Sequence, residues 1–301
     1  MNMANHRARR IWIRIALAVL VGAAAAAGSL FAEGNLIEQG RAAMARGDYD
    51  AAIENLEKAV AQSPKSAEAH YYLGSAYGAK VQSSGMLAAA RYAGSIKEEF
   101  EKAVALDPKY VDAHYALVQV YAAAPEMMGG SYEKAFEHAK AIKAIDPVVG
   151  HRAYAFTYTQ QKNLEAAKKE YADAVREAPG SGKAHSFFGQ YLYNTEKNFQ
   201  AAFVELEAAL KADPSYMPAL YHLGRAASLG DTNLPRGEEA LRKYLAYTPK
   251  ENEPTLASAH YYFGTLCEKQ GRKEEAKRGY EAALKINPSL KSAIEALKRV
   301  S

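Results

Sequence analysis

The chain has 301 residues, of which 49% are hydrophobic and 24% charged, with 21 glycines, 11 prolines and one cysteine, Cys267. This composition excludes a disordered or collagen-like polymer, and a lone cysteine excludes an internal disulfide framework or a thiolate metal cluster. The formal charge of +4 sits wholly in residues 1–32, which hold Arg7, Arg9, Arg10 and Arg14 and no acid; 34 basic and 34 acidic side chains remain. A neutral body lacks the electrostatic footprint of a nucleic-acid binder.

At the N-terminus the basic stretch Arg7–Arg14 precedes the apolar run Ile15–Ala32, whose end is crowded with small residues. That layout is expected of a secretory signal peptide, cut after Ala32 or Ala27. An uncleaved anchor is the alternative, because eighteen apolar residues sit at the short end of a membrane span. The first outcome places residues 33–301 in the periplasm or outside the cell. The second ties them to the inner membrane facing the periplasm, and only then is membrane contact expected.

From residue 33 onward the chain is repetitive. In Ala257–Leu290, Phe263-Gly264 is followed by Gly271, Ala276, Tyr280, Ala283 and Pro288. Residues Glu33–Ser66 carry Gly40, Gly47, Tyr49, Ala52, Leu56, Ala59 and Pro64 at matching offsets. Terminal prolines recur at Pro64, Pro108, Pro147, Pro179, Pro214, Pro249 and Pro288, spaced 44, 39, 32, 35, 35 and 39 residues apart. Apolar residues return every three or four positions in runs such as Glu54–Val60 and Tyr280–Ile286, a helical period.

These anchors resemble the tetratricopeptide repeat, a helix–turn–helix unit of 34 residues. The resemblance implies an all-α fold, a right-handed superhelical α-solenoid. Seven repeats are expected at 33–66, 67–110, 111–147, 148–181, 182–216, 217–256 and 257–290, with a capping helix at 292–300. Three units depart from the pattern. The third has Ile142 where a small residue is usual, the fourth lacks a Leu-Gly pair, and the sixth has Gly237 where alanine is expected.

The resemblance also implies that positions 2, 5, 9, 12 and 13 of each repeat face a concave surface. Position 5 supplies Tyr71, Tyr115, Tyr221 and Tyr261; position 9 supplies Gln119, Gln190, Arg225 and Thr265; position 2 adds Glu68 and Asp112. Tyrosine offers rigid contact area plus a hydroxyl, which suits a protein or peptide partner. Tyr71, Tyr115, Gln119, Gln190, Tyr221, Arg225 and Tyr261 are therefore the candidate partner-binding residues. The competing reading is that the tyrosines only pack the arch.

Two inserts interrupt the register. In Gly78–Ser95 the segment Met86–Tyr92 is expected to extend a helix, with breaks at Ser83–Gly85 and Gly94-Ser95. In Ala124–Ser131, Pro125 ends a helix, Gly129-Gly130 permit a turn, and Ser131 caps the helix from Tyr132. Met86, Met127 and Met128 are the alternative ligand contacts, lining a closed pocket for an apolar or glycan ligand.

No catalytic, cofactor or metal-binding residue is assigned. His70, His114, His185 and His260 all fall at position 4, yet equivalent positions on neighbouring helices lie roughly 10 Å apart, too far to share one ion. There is no H-E-x-x-H and no phosphate-binding glycine loop, and Cys267 sits at a packing position. The expected function is an exported, non-enzymatic scaffold that binds a protein or peptide, within a bacterial envelope assembly. The alternative is a periplasmic carrier using the inserts of repeats two and three.

Overall fold

The computed structural model describes residues 34–250 and 253–301, with the backbone alone at 86, 87, 89 and 90. The export segment expected at 1–32, Trp12 included, lies outside the described residues. Among the described residues the chain is all-α, a solenoid of stacked helix–turn–helix repeats. No helix there is long and apolar enough to cross a membrane. Contacts divide the chain into two compact units.

The first unit contains α1 (34–45), α2 (Tyr49–Gln62), α3 (Ala67–Ser84) and α4 (Met86–Leu106). Ser66 starts α3 by accepting a hydrogen bond from the Ala69 N–H, which satisfies one of the orphan donors of the first turn. Ile53, Leu56, Tyr72, Leu73 and Tyr77 fill its core, and Gly74 lets the Phe100 ring lie against the α3 backbone. The first insert does not form a loop. It lengthens both helices, to 18 residues in α3 and 21 in α4, with one break at Gly85 (φ +76°). The break expected at Gly94-Ser95 is absent, and the helix runs through both residues.

The second unit is a stack of helix pairs: α5 (Val111–Ala123) with α6 (Tyr132–Ile145), α7 (Pro147–Gln160) with α8 (Leu164–Glu177), α9 (Gly182–Asn194) with α10 (Phe199–Ala212), α11 (Pro218–Gly230) with α12 (Leu234–Leu245), and α13 (Leu256–Lys269) with α14 (Lys273–Ile286). The helix α15 (Lys291–Val300) closes the end. Ser131, Asp146, Asn163, Ser181, Asn198 and Thr255 each cap a helix by accepting the N–H three residues on. Turns within pairs pass through a left-handed residue, Lys162, Lys197, Asp231 or Gly271.

One helix pair cannot bury its own apolar face, so the core runs from pair to pair. Leu192, Leu206, Leu223, Leu241, Tyr244 and Leu266 belong to one continuous buried cluster. Each such side chain is worth about 1.5–3 kcal/mol on burial. The departures noted in the sequence have local reasons. A Cβ at Gly237 would stand 2.3 Å from that of Ala227, so even alanine is too large there. Ile142 is fully buried, and the next helix supplies the small residue: Gly150 lies against the α6 backbone at Lys143. In α15, Ala293 and Ala296 are buried, with Leu297 and Val300 packed beside Cys267 and Tyr280.

Candidate functional site

First helices of successive pairs touch one another, α5 to α7, α7 to α9, α9 to α11 and α11 to α13, and so form one continuous face. Two cavities open on it. The larger, about 530 Å³, is walled by Asp112, Tyr115, Arg152, Lys183, Phe187, Gln190, Tyr216, Tyr221 and Arg225, among others. The smaller, about 320 Å³, adds Gln119, Phe156, Thr159, Gln160, Tyr191 and Asn194. They share Tyr115, Arg152, Phe187 and Gln190, so they form one cleft with Arg152 at the junction.

Arg152 projects from α7 against two rings: its guanidinium carbon is 4.8 Å from the Tyr115 centroid and 4.3 Å from that of Phe187. Arg225, on α11, repeats the arrangement against Tyr193 (5.5 Å) and Tyr262 (5.6 Å). Tyr193 is fully buried, and its hydroxyl lies 2.8 Å from Nδ1 of His222. Burial drives the His222 imidazole down to about 3, so it is neutral at physiological pH and suited to a polar core bond. Burial likewise pushes the Tyr216 hydroxyl up to about 12 and Tyr221 above the usual phenol range, keeping both as neutral donors.

Two stretches match family models: residues 40–81 match the TPR repeat, and residues 257–290 match the tetratricopeptide repeat. The chain carries tetratricopeptide repeats. No curated protein matches it by sequence. Among solved structures, yeast Tom70 superposes with a TM-score of 0.61 at 16% identity, over 83% of this chain and 49% of that one. The human IFIT1 dimer, solved with PPP-AAAA, superposes at 0.52 with 19% identity, over 84% of this chain and 59% of that one. The chain thus spans about half to three fifths of these structures, and at such identities the likeness is one of fold alone.

Numbered by the tetratricopeptide register, the candidate partner-binding residues separate into three groups. Tyr115, Gln119, Gln190, Tyr221 and Arg225 all line the cleft. Tyr221 is only 5% exposed and forms a floor among Tyr244, Tyr262 and His222 rather than a projecting rung. Tyr71 belongs to the first unit, where it packs on Tyr72 and Phe100. Tyr261 stacks near Tyr262 and Tyr280 and lines neither cavity of the cleft. The cleft also contains Arg152, Phe187 and Tyr216, which the tyrosine pattern passed over.

Met127 and Met128 do not stand in an enclosed pocket. Met127 is 93% exposed and Met128 68%, on a short 3-10 turn, and neither lines the adjacent hollow walled by Tyr121, Pro125, Glu126 and Tyr132. The turn is held by hydrogen bonds from Met128 and Gly130 N–H to the Pro125 carbonyl, which point the thioethers outward. Met86 opens α4 in the first unit.

Three of the four position-4 histidines do structural work. Nε2 of His70, His114 and His185 lies 3.0–3.2 Å from the carbonyl oxygen of the proline six residues earlier: Pro64, Pro108 and Pro179. Nδ1 faces the second helix of the pair, meeting Glu99, His138 and Glu205 respectively. His151 is held similarly between Glu170 and Glu177. His70, His114 and His185 each staple a turn to a helix, and His151 ties α7 to α8. Among the described residues no three His, Cys, Asp or Glu side chains gather as a metal-binding group. Cys267 is buried, and burial pushes its thiol up to about 11, away from nucleophile chemistry.

Proposed function

We propose that this chain is a protein- or peptide-binding scaffold whose ligand lies along the cleft of the second unit. One observation carries the reading: side chains from α5, α7, α9 and α11, repeats apart in sequence, converge on one aromatic and amide-lined groove. Rigid rings supply contact area at low entropic cost, while Gln119, Gln190 and Asn194 offer donors and acceptors to a peptide backbone. The Arg-rich apolar leader at 1–32 supports export, and with it a working place in the periplasm or an envelope assembly.

The test compares wild type with Tyr115→Ala/Gln190→Ala as baits against an envelope extract. Both residues are half-buried on the cleft wall, so the fold is expected to survive their truncation. A partner held by wild type and lost from the variant is the expected result. Equal recovery of every protein by both baits overturns the cleft reading. Export is checked separately: the mature N-terminus from a cell-envelope fraction should begin at Glu33 or Gly28.

A further inference from the structure

We propose that the ligand of this cleft is anchored by an acidic side chain, whose carboxylate is taken by Arg152 with Arg225 as the second donor. The inference rests on the peptide-binding reading above and adds the chemistry of the anchor.

Five other arginines of the second unit are answered by carboxylates, whereas Arg278 on α14 has no such pair among the described residues. Arg176 pairs with Asp173, Arg236 with Glu207, Arg242 with Glu238, Arg272 with Glu238 and Glu275, and Arg299 with Glu268. Among the described residues neither Arg152 nor Arg225 has such a pair, although both stand in the cleft wall. Two rings lie within 5.6 Å of each guanidinium carbon and restrain its orientation, and Arg152 lines both cavities with no protein carboxylate on its N–H groups among the described residues. Arg225 spends one edge on Asn194, where Nη2 donates to Oδ1 at 3.3 Å, while its buried Nε has no protein acceptor among the described residues. A buried donor without an acceptor is costly, and a ligand that supplies one recovers that cost.

The other charged groups of the wall are already engaged. Glu253 accepts the Lys250 backbone N–H at 2.7 Å, and Lys183 pairs with Asp146 at 3.1 Å. Asp112, on the same wall, acts on Arg152 electrostatically. A planar guanidinium edge matches a carboxylate in the two-bond fork that Arg–carboxylate pairs favour. The aromatic surface of Phe187, Tyr216 and Tyr221 beside it suits an apolar or aromatic residue next to the acid. A nucleic acid fits less well, because the body of the chain is neutral and offers no basic track.

The probe is an immobilised array of random twelve-residue peptides, read with the full-length protein. Wild type should retain peptides enriched in Asp or Glu adjacent to an aromatic or apolar residue. Replacing that acid by its amide in the best peptide should weaken binding at least about ten-fold, as should Arg152→Gln or Arg225→Gln in the protein. Arg152→Lys, which keeps the charge but not the planar fork, should recover only part of the loss. Peptides retained without acidic enrichment, or an amide peptide that binds equally, would overturn the anchor and leave the peptide cleft standing. Retention of no peptide by wild type would remove both. The amide substitution is made in the ligand, so it decides even if an arginine variant fails to fold.

Discussion

The closest backbone approach in the last repeat allows a prediction in which two effects of known size oppose each other. Gly279 sits mid-helix in α14, where alanine is favoured over glycine by about 0.8–1.0 kcal/mol on helix propensity. A Cβ there would meet Gly264 Cα at 2.8 Å, Gly264 N at 3.0 Å and the His260 carbonyl oxygen at 3.1 Å. Carbon atoms pack best at about 3.5–4.0 Å, so the shortest contact falls short by about 0.7 Å or more. All three obstacles are backbone, so no side chain can swing aside and α13 must move away from α14. Overpacking of this kind costs about 1–3 kcal/mol, and separation also loosens the Tyr280 ring from Gly264. Gly279→Ala is therefore expected to lose about 1–2 kcal/mol net. Gly94→Ala is the control: Gly94 is exposed in α4 with nothing within 4 Å of a new Cβ, so the propensity gain should appear undiminished. Urea unfolding followed at 222 nm reads both, and repeat arrays that unfold in steps call for comparison within each limb. If Gly279→Ala raises the midpoint as Gly94→Ala does, the two helices can part without cost and the reasoning fails.

Three further outcomes follow from particular side chains. His222 is held at about 3 against an ordinary value near 6.5, so below pH 6.5 the unfolded chain takes up a proton that the folded chain refuses. Stability should then fall on acidification from pH 6.5 towards 3 by up to ~1.4 kcal/mol per pH unit from this residue, and His222→Gln should flatten the slope; parallel slopes would contradict it. His185→Ala leaves Glu205 and the Pro179 carbonyl without their shared partner and should cost about 1–2 kcal/mol in chemical unfolding, whereas a surface histidine would cost almost nothing. Cys267 should react with a disulfide reagent at least about 100-fold more slowly in the folded protein than in urea; equal rates would mean that the thiol is accessible.

The repeat architecture was legible because its requirement recurs: each pair needs a small residue where helices touch and a proline where the second helix stops. The insert at 78–95 was misread in part because glycine and serine signal breaks only statistically. Gly94 costs α4 some propensity, but packing along α3 keeps the helix intact, and only Gly85 adopts a backbone that interrupts it. For the site, selecting by residue type found Tyr115 and Tyr221 yet missed Arg152, which occupies the same position 5 of its repeat. Reading the register instead would have added Arg152, Phe156, Thr159, Gln160, Lys183 and Asn194. The outward pose of Met127 and Met128 could not be read, because loop hydrogen bonding sets it. The staples at His70, His114 and His185 leave a trace that passes unnoticed without the structure, a proline six residues before the ring.

Those staples bear on how the cleft meets a ligand. His185 ties the turn before α9 to α10, and His151 ties α7 to α8, so the helices bearing Arg152 and Phe187 are braced from behind by polar contacts as well as by packing. Bracing of this kind lowers the compliance of the groove. A stiff groove pays little ordering entropy when it is filled, and it discriminates by fit, since it does not remould itself around each candidate. Mutations at these rings, none of which needs to touch the ligand, are then a route to tuning selectivity from the opposite side of the wall.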